Sequence, residues 1–335
     1  MKYTIFIDGE EGTTGLQIRE RILKRSDIEL LHIDDKKRKD ANERKKCINA
    51  ADFVFLCLPD DAAREAVSFC ENPHTRILDS STAHRVANGW AYGFPELSES
   101  HRTNIANSKR VAVPGCYASG FAAIVFPLVQ NQIIPRDYPL VCHAVSGFSG
   151  AGKKGIHQYE TWRNENSQTK NCANTNQTSQ SQSFSNSLAS PRMYALTQMH
   201  KHLAEMKSVS NLAYEPIFSP YICNFFSGMS VTVSLHTRLL SKTCSLQNIH
   251  EIFSAHYANA HFIHVADVQG ANILNTPFIS ADALSGTNQM QIFICGNSDR
   301  ITLTSRFDNL GKGASGAAMQ CMNIMMGINE ATSLE

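Results

Sequence analysis

The alternation of short apolar strands with helices over the first 115 residues constrains the fold more than any other feature. Residues 3–7 are β-forming, and a glycine-rich turn, GEEGTTG, separates them from LQIRERIL, whose apolar side chains share one helical face. Residues 53–58 are continuously apolar and end at Pro59, as in a parallel strand that is buried on both faces. The pattern predicts a doubly wound, Rossmann-type α/β domain.

The turn GEEGTTG, residues 9–15, is the first candidate binding site. Glycines at three-residue spacing between a strand and a helix let the backbone approach a pyrophosphate at the helix N-terminus. The spacing is GxxGxxG and not GxGxxG, because Glu11 holds the position of the middle glycine. The turn therefore either binds a dinucleotide or is an ordinary tight connection. The residues that we expect to contact a nucleotide are Gly9, Gly12, Thr13, Thr14 and Gly15.

A charged segment follows the second expected strand, residues 28–33. Asp34 and Asp35 suit a ribose hydroxyl, as in NAD enzymes, whereas the basic side chains of Lys36 and Arg38 suit the 2′-phosphate of NADP. A solvated loop would have the same composition. The segment therefore makes NADP(H) a candidate cofactor and leaves a plain surface loop as the alternative.

The stretch VAVPGCYASGF, residues 111–121, is the candidate catalytic segment. Pro114 and Gly115 stop its short β-forming run, so that Cys116 falls where the apolar helix of residues 121–129 must begin. Free N–H groups and the helix dipole stabilise a thiolate there, and we expect a pKa below the ordinary value of about 8.5. Such a thiol suits nucleophilic acyl transfer. The alternative is a buried structural cysteine, one of ten in the chain.

A pair of histidines in the segment of residues 193–207 supplies a candidate acid/base. His200 and His202 share a face only if the chain is extended there and the helix begins after His202. If the whole segment is helical, the two rings point roughly 200° apart and only one can face a site. One of them is the candidate proton carrier for Cys116.

Two polar segments are candidate anion sites. DSSTAHR, residues 79–85, follows an expected strand and ends in an arginine that suits a phosphate or a carboxylate. SGFSGAGKK, residues 146–154, offers backbone N–H groups and two lysines. A surface loop and a flexible hairpin are the alternatives. The candidate substrate-binding residues are Ser81, Arg85, Ser146, Gly147 and Lys153.

Composition limits the class of protein. The 335 residues suggest about two domains, and 31 basic and 30 acidic residues leave a net charge of +1, which draws the chain to neither nucleic acid nor membrane. The ten cysteines occur singly without zinc-like spacing, so we expect reduced thiols, no metal and a cytoplasmic location. No apolar run approaches about 18 residues, and no secretory signal is present. Small molecules are the expected partners.

The second half of the chain predicts a different architecture. Strands at residues 230–236 and 291–295, with a helix at 250–257, suggest an α+β domain on a mostly antiparallel sheet. Residues 164–190 are polar, of low complexity and almost free of aliphatic side chains, so we expect a mobile surface insertion there.

Taken in order, these segments resemble the N-acetyl-γ-glutamyl-phosphate reductases, specifically the shorter of that family's two types. The resemblance runs nearly end to end, and only residues 164–190 have no recognised counterpart. Ser119 stands where the family usually has threonine, and Ala204 where many members have proline. The motifs that carry the resemblance are GEEGTTGLQIRERI, CLPDDAAREAV, DSSTAHRV, YGFPEL, VPGCYASGF, HAVSGFSGAGK, HKHLAEM, FSGMSVTVSLH and DNLGKGASGAA.

The resemblance implies NADPH-dependent reduction of N-acetyl-γ-glutamyl phosphate to N-acetylglutamate 5-semialdehyde in arginine biosynthesis, by a homo-oligomer, dimer or tetramer. It also implies a glyceraldehyde-3-phosphate-dehydrogenase-like architecture. Residues 1–115 and 309–335 would then form the NADP-binding domain, with Asn309 among the cofactor-binding residues, and residues 116–308 the catalytic domain.

Nucleophile chemistry agrees with that reaction, because a Cys116 thiolate can displace phosphate from an acyl phosphate and form a thioester. Two alternatives stay open at this point. Aspartate-semialdehyde dehydrogenase shares the fold and the chemistry. A Cys/His acyl hydrolase would use the same dyad without a nicotinamide, although GEEGTTG followed by a basic cluster argues against it.

Overall fold

The computed structural model describes residues 2–171 and 188–334. Its first sheet has six parallel strands in the order β2-β1-β3-β4-β6-β5. The strands are β1 (Tyr3–Asp8), β2 (Ile28–Leu31), β3 (Phe53–Leu56), β4 (Arg76–Asp79), β5 (Ala91–Tyr92) and β6 (Arg110–Ala112). The helices of this part are α1 (Thr13–Ile22), α2 (Ala41–Ala50), α3 (Asp60–Ser68) and α4 (Glu99–Asn107).

The strand order reverses at β1, which pairs with β2 on one side and β3 on the other. In an open parallel sheet such a switch point opens a crevice at the carboxyl ends of the strands. All four residues of β3 are buried, as its continuous apolar run predicts. The doubly wound Rossmann-type prediction is confirmed.

The second sheet has seven strands in the order β11-β12-β13-β10-β7-β9-β8. Only the β11/β12 and β7/β9 pairs are parallel, so the sheet is mostly antiparallel, as predicted. The strands are β7 (Val141–Gly147), β8 (Arg192–Met193), β9 (Ile217–Cys223), β10 (Met229–His236), β11 (Ile263–Val265), β12 (Met290–Gly296) and β13 (Arg300–Phe307). The helices that accompany this sheet are α5 (Cys116–Gln130), α6 (Gly152–Asn171), α7 (Leu203–Val209) and α8 (Leu246–His256).

Helix α5 is the buried axis of the second half. It begins at Cys116, as predicted, five residues before the apolar run itself, and its side chains are buried on nearly every face. Gly120 makes this possible, since a Cβ at that position would lie 2.7 Å from the Ser305 Oγ and 2.7 Å from a methyl carbon of Val231. The close approach fixes α5, and with it Cys116, against β10 and β13.

The last helix, α9 (Gly316–Met326), returns to the first sheet. It contacts α1, α4 and β4, and its methionines share an apolar cluster with Ile5 and Phe55. Small residues and flexible methionines suit such close packing. Among the helices within residues 2–171 and 188–334, none combines the length and apolar character needed to cross a membrane.

The prediction of a loop over residues 164–190 is wrong for its first part. Residues 164–171 are the C-terminal end of α6, because a helix that has already started at residue 152 can continue through a polar sequence. Leu188 is buried with Phe148, Tyr159 and Ile222. Residues 172–187 lie outside the described residues.

Replacing residues 172–187 with a short Gly/Ser linker should change the free energy of unfolding by less than ~1 kcal/mol, because loop length enters only as (3/2)RT ln n. Leu188→Ala should cost about 2–5 kcal/mol, because it empties a buried position. Urea unfolding followed by circular dichroism measures both variants. A linker variant as unstable as Leu188→Ala would contradict the prediction.

Candidate active site

Two connected cavities lie at the carboxyl ends of β1, β3 and β4. An inner cavity of about 430 Å³ reaches Cys116, and an outer one of about 550 Å³ reaches the end of β2. Both are lined by Gly12, Cys57, Leu58, Pro59 and Lys153, so they form one elongated groove. The groove lies where a doubly wound sheet binds a dinucleotide.

The glycine-rich turn forms the wall between the two cavities. Gly9 has φ +88°, and a Cβ there would lie 2.5 Å from the Cys57 carbonyl oxygen, so only glycine fits. A Cβ at Gly15 would lie 2.6 Å from the Gly9 oxygen, which places Gly15 beneath the turn and not at the cavity surface. Gly12 faces both cavities, and Thr13 and Thr14 face the inner one. The turn therefore fits the pyrophosphate of a dinucleotide.

The basic cluster divides between the groove and the surface. Arg38 lines the outer cavity and forms an ion pair with Glu11, and Lys39, which the sequence analysis missed, lines the same cavity. Within the described chain, Lys36 lines neither cavity, and its backbone N–H donates to Asp34 Oδ1 at 2.9 Å in a short 3₁₀ turn. Arg38 and Lys39 are therefore better placed than Lys36 for a 2′-phosphate.

Cys116 is the first residue of α5, with Gly115 as the preceding N-cap, as the sequence predicts. The expected low pKa of the Cys116 thiol is wrong. Burial raises the pKa of the thiol to about 11, and the nearby Arg85 charge and Tyr117 backbone N–H lower it only in part. Desolvation outweighs the helix N-terminus because the sulfur is enclosed by protein. At neutral pH the thiol therefore keeps its proton, and attack needs a base.

Glu205 binds the backbone of the residue before Cys116, a role that the sequence did not reveal. Its Oε1 accepts from the Gly115 N–H at 2.8 Å and from the Tyr92 hydroxyl at 2.8 Å, and its Oε2 accepts from Arg85 Nη1 at 3.1 Å. The carboxylate is 2% exposed. Its place in the first turn of α7, three residues after His202, was the signal available in the sequence.

Arg85 lines the inner cavity, but much of its guanidinium is committed to protein. Beside Glu205, its Nε donates to the Val113 carbonyl at 3.0 Å and its Nη2 to the Ser80 carbonyl at 2.9 Å. Three of its five N–H groups are therefore engaged. Contact with a substrate anion through the other two stays a prediction.

Of the two alternatives for the histidine pair, the structure has the one in which the helix begins after His202. Helix α7 starts at Leu203, and both His200 and His202 line the inner cavity with ring centroids 4.7 Å apart. The His202 Nε2 packs against Gly115, the residue before Cys116, since a Cβ on Gly115 would be 2.5 Å from it. His202 Nδ1 has no hydrogen-bond partner among the described residues, and His200 Nε2 lies 3.4 Å from the Tyr194 hydroxyl.

Both imidazoles are neutral at pH 7. Burial, with help from the positive charges of Lys201 and Arg85, lowers the pKa of His200 to about 4. The same burial lowers the pKa of His202 well below its ordinary value. A neutral imidazole has a free lone pair, so either ring can accept the thiol proton.

The other expected substrate residues divide between the cavity and the layer behind it. Ser81 lines the inner cavity but donates its hydroxyl to Asp79 at 2.7 Å, and Lys153 lines both cavities. Ser146 and Gly147 were expected in a loop; they are the last residues of β7 and lie outside the lining of both cavities within the described chain. The Gly- and Ser-rich pattern concealed that β7 continues through them.

Asn309 and Lys201 complete the inner cavity. The Asn309 Oδ1 accepts from the Gly228 N–H at 2.9 Å, and its Nδ2 donates to Ser149 Oγ at 2.9 Å, so its amide is fixed at the cavity wall. Lys201 is exposed and lines the cavity. No sequence pattern distinguished it from the two histidines that flank it. In the part of the chain that is described, no three metal-binding side chains cluster.

Sequence comparison assigns both halves of the chain to one class. Residues 5–105 match the model of the semialdehyde dehydrogenase NAD binding domain, and residues 116–309 match that of the semialdehyde dehydrogenase dimerisation domain. Aspartate-semialdehyde dehydrogenases have the same fold. The enzyme from Francisella tularensis superposes with a TM-score of 0.71 over 97% of this chain and 100% of its own at 14% identity. The fold and the site define a protein of the semialdehyde dehydrogenase class.

Curated relatives narrow the assignment. A protein of Nostoc sp. named N-acetyl-gamma-glutamyl-phosphate reductase 2 is 44% identical over 99% of both chains. A Brucella ovis protein named N-acetyl-gamma-glutamyl-phosphate reductase is 42% identical over 98% of this chain and 100% of its own. The chain belongs to the N-acetyl-gamma-glutamyl-phosphate reductase family, and the predicted family resemblance is confirmed.

In the protein without ligands, the rate of Cys116 alkylation by iodoacetamide should keep rising above pH 9, because only the thiolate reacts and the pKa of the thiol is raised to about 11. Mass spectrometry of the Cys116 peptide separates this site from the other cysteines. Glutathione serves as a solution thiol without a protein environment. A rate that levels off below pH 8 would show that the thiolate is already formed at neutral pH.

Proposed function

We propose that this chain reduces N-acetyl-γ-glutamyl phosphate with NADPH to N-acetylglutamate 5-semialdehyde and phosphate, through a thioester on Cys116. The observation that carries the proposal is the single cavity in which Cys116, both histidines and the glycine-rich turn meet. The near full-length relatives support the substrate, and the solved structure of a Candida albicans aspartate-semialdehyde dehydrogenase with NADP, similar in fold at a TM-score of 0.65, is consistent with the cofactor.

The charge of the inner cavity suits an acyl phosphate that also carries a carboxylate. Arg85, Lys153 and Lys201 supply positive charge around Cys116. Asp60 also lines the cavity, but it accepts from the Thr82 N–H at 2.9 Å, and the Thr82 hydrogen bonds help to hold the pKa of its carboxyl below the ordinary value despite its partial burial. Cations that lie in a partly closed cavity attract anions more strongly than they would in water.

The first chemical step is attack of Cys116 on the acyl carbon. Since the thiol is protonated at neutral pH, His202 or His200 accepts its proton as the sulfur–carbon bond forms. Phosphate leaves with the electrons of the acyl–oxygen bond. The unbonded N–H groups of the first turn of α5 stabilise the negative charge that develops on the acyl oxygen. NADPH, when bound, supplies the hydride that reduces the thioester carbonyl.

The last step releases the aldehyde. The reduced oxygen forms its carbonyl as the carbon–sulfur bond breaks, and the imidazolium returns a proton so that Cys116 leaves as the thiol. Glu205 holds Gly115 throughout, which keeps the sulfur aimed into the cavity. Arg85 positions Glu205 and contributes its remaining N–H groups to the substrate anion.

The organisation of the chain is part of the proposal. Residues 1–115 with 309–335 would bind NADP(H), which the return of α9 to the first sheet supports. Residues 116–308 would carry the substrate site and assemble two or four copies, which the match to a dimerisation domain supports. Arginine biosynthesis in the cytoplasm is the expected setting.

The decisive assay runs the reaction in reverse, because semialdehydes and phosphate are easier to supply than acyl phosphates. NADP+ reduction at 340 nm should require phosphate and N-acetylglutamate 5-semialdehyde, with aspartate semialdehyde at least about 100-fold poorer in kcat/KM, since the site must bind the acetylated substrate. Cys116→Ser should bind NADPH normally and lose nearly all turnover, because a hydroxyl is a far weaker nucleophile. A preference for aspartate semialdehyde, or normal turnover of Cys116→Ser, would reject the proposal.

The two histidines should contribute unequally. His202, whose Nε2 packs against Gly115 beside Cys116, should be the main proton carrier. His202→Gln should lower kcat by about 10²- to 10⁴-fold. His200→Gln should cost less, because its ring lies beside Tyr194 and supports His202 through the His202 N–H. Steady-state kinetics of both variants, with circular dichroism as a check of folding, tests the order. The reverse order would assign proton transfer to His200.

A further inference from the structure

A buried ion pair lies behind the active site and takes no part in the steps above. Lys312 belongs to the short π-helical turn Gly311–Ser315 and is 2% exposed. Its Nζ donates to Glu96 Oε1 at 2.6 Å and to Gln320 Oε1 at 2.6 Å. Lysine and glutamate are almost never buried unless they are paired. The pair therefore needs an explanation beyond the filling of space.

The surroundings of the pair hold it in one geometry. The rings of Phe94 and Phe262 flank the Lys312 ammonium at 5.0 and 5.6 Å. Gln320 donates to both Glu96 and Glu330, and Glu330 accepts from Arg102, so that a chain of polar contacts runs from Lys312 to the outer face of α4. Directional bonds on one side and ring faces on the other leave Lys312 little freedom to shift.

The backbone of the same turn touches the nucleophile. A Cβ on Gly313 would lie 2.9 Å from the Cys116 Cβ, and a Cβ on Gly311 would lie 2.2 Å from the Thr287 carbonyl oxygen. The turn is therefore closely packed between Cys116 on one side and the segment before β12 on the other. It begins two residues after Asn309, whose amide is fixed at the cavity wall. A displacement of Lys312 would move the wall against which Cys116 packs.

We propose that Lys312 and Glu96 are positioning residues that fix the wall behind Cys116 and thereby set the place of its sulfur. A buried ion pair is weak support for stability, because apolar residues of similar size fold equally well. Unlike apolar contacts, its hydrogen bonds define a direction. The inference rests on the proposed role of Cys116 as the nucleophile, and a shift of about 1 Å in such a group can cost 10²-fold in rate.

The test compares a broken pair with a neutralised one. Lys312→Met alone leaves the Glu96 carboxylate buried without its cation, and should lower the melting temperature clearly. The double variant Lys312→Met with Glu96→Gln removes both charges, keeps an oxygen near Gln320, and should recover most of the melting temperature. If the pair positions Cys116, kcat of the double variant should stay about 10- to 100-fold low, with the KM for NADP+ within about twofold of the wild type.

The control perturbs α9 at another point. Arg25 is buried and donates to Asn323 of α9 at 2.6 Å. Arg25→Met should lower the melting temperature while kcat per folded molecule stays within about twofold of the wild type. The rate of Cys116 alkylation at fixed pH gives a second readout that needs no substrate, and it should change in the double variant and not in Arg25→Met.

A double variant that folds and shows wild-type kcat and alkylation rate would overturn the positioning role. Should the double variant fail to fold, Glu96→Gln alone, which keeps an acceptor for Lys312 but leaves its charge unpaired, is compared by kcat per folded molecule, and a value within about twofold of the wild type would overturn the positioning role. A wild-type protein without reductase activity would reject the proposed function instead. In that case the alkylation rates of Cys116 would still decide the positioning role.

Discussion

The candidate active site depends on one carboxylate, that of Glu205, which joins the two halves of the molecule at the residue before Cys116. It accepts hydrogen bonds from the Gly115 backbone, the Tyr92 hydroxyl and the Arg85 guanidinium while almost wholly buried. A buried carboxylate is tolerable only when its oxygens are satisfied, so the three donors and the acceptor constrain one another. Because Glu205 lies on α7 and the donors lie between β4 and α5, the same contact sets the distance between the histidine pair and Cys116.

Burial also decides which groups of the candidate active site carry charge. Cys116 holds its proton, and both histidines lack one, because desolvation favours the neutral form of each. Several buried charged side chains lie in ion pairs, namely Arg85 with Glu205, Asp8 with Arg44, and Lys312 with Glu96. The thiol and the two imidazoles are therefore all neutral, and the described site holds no thiolate–imidazolium pair. A thiol in this state is less exposed to chance oxidation than a free thiolate.

The sequence predicts those features that depend on neighbouring residues, such as the ends of helices and strands. It misses those that depend on contacts between distant parts of the chain. Pro114 and Gly115 place Cys116 at a helix start, and the continuous apolar run of β3 identifies a doubly covered sheet, because each is a short-range rule. The first turn of α7 offers only a weak signal for Glu205, since its three donors come from residues 85, 92 and 115. The thiol pKa depends on enclosure by residues far along the chain. Ser146 and Gly147 were assigned to a loop from composition, but the neighbouring strands β9 and β10 extend β7 through them.

The turn at Gly311–Ser315 has a consequence for how the chain is made. Apart from Asn309, Leu310 and two residues of this turn, the described residues that line the inner cavity come before residue 203, and Cys116 precedes Asn309 by 193 residues. At a synthesis rate of about 5–20 residues per second, roughly 10–40 s pass between the appearance of the nucleophile and that of the wall behind it. The strands β10 and β13, against which α5 packs, also appear late in that interval. A growing chain thus exposes Cys116 before β13 and the turn can cover its helix, so that oxidants have freer access to the thiol in this period than in the folded protein.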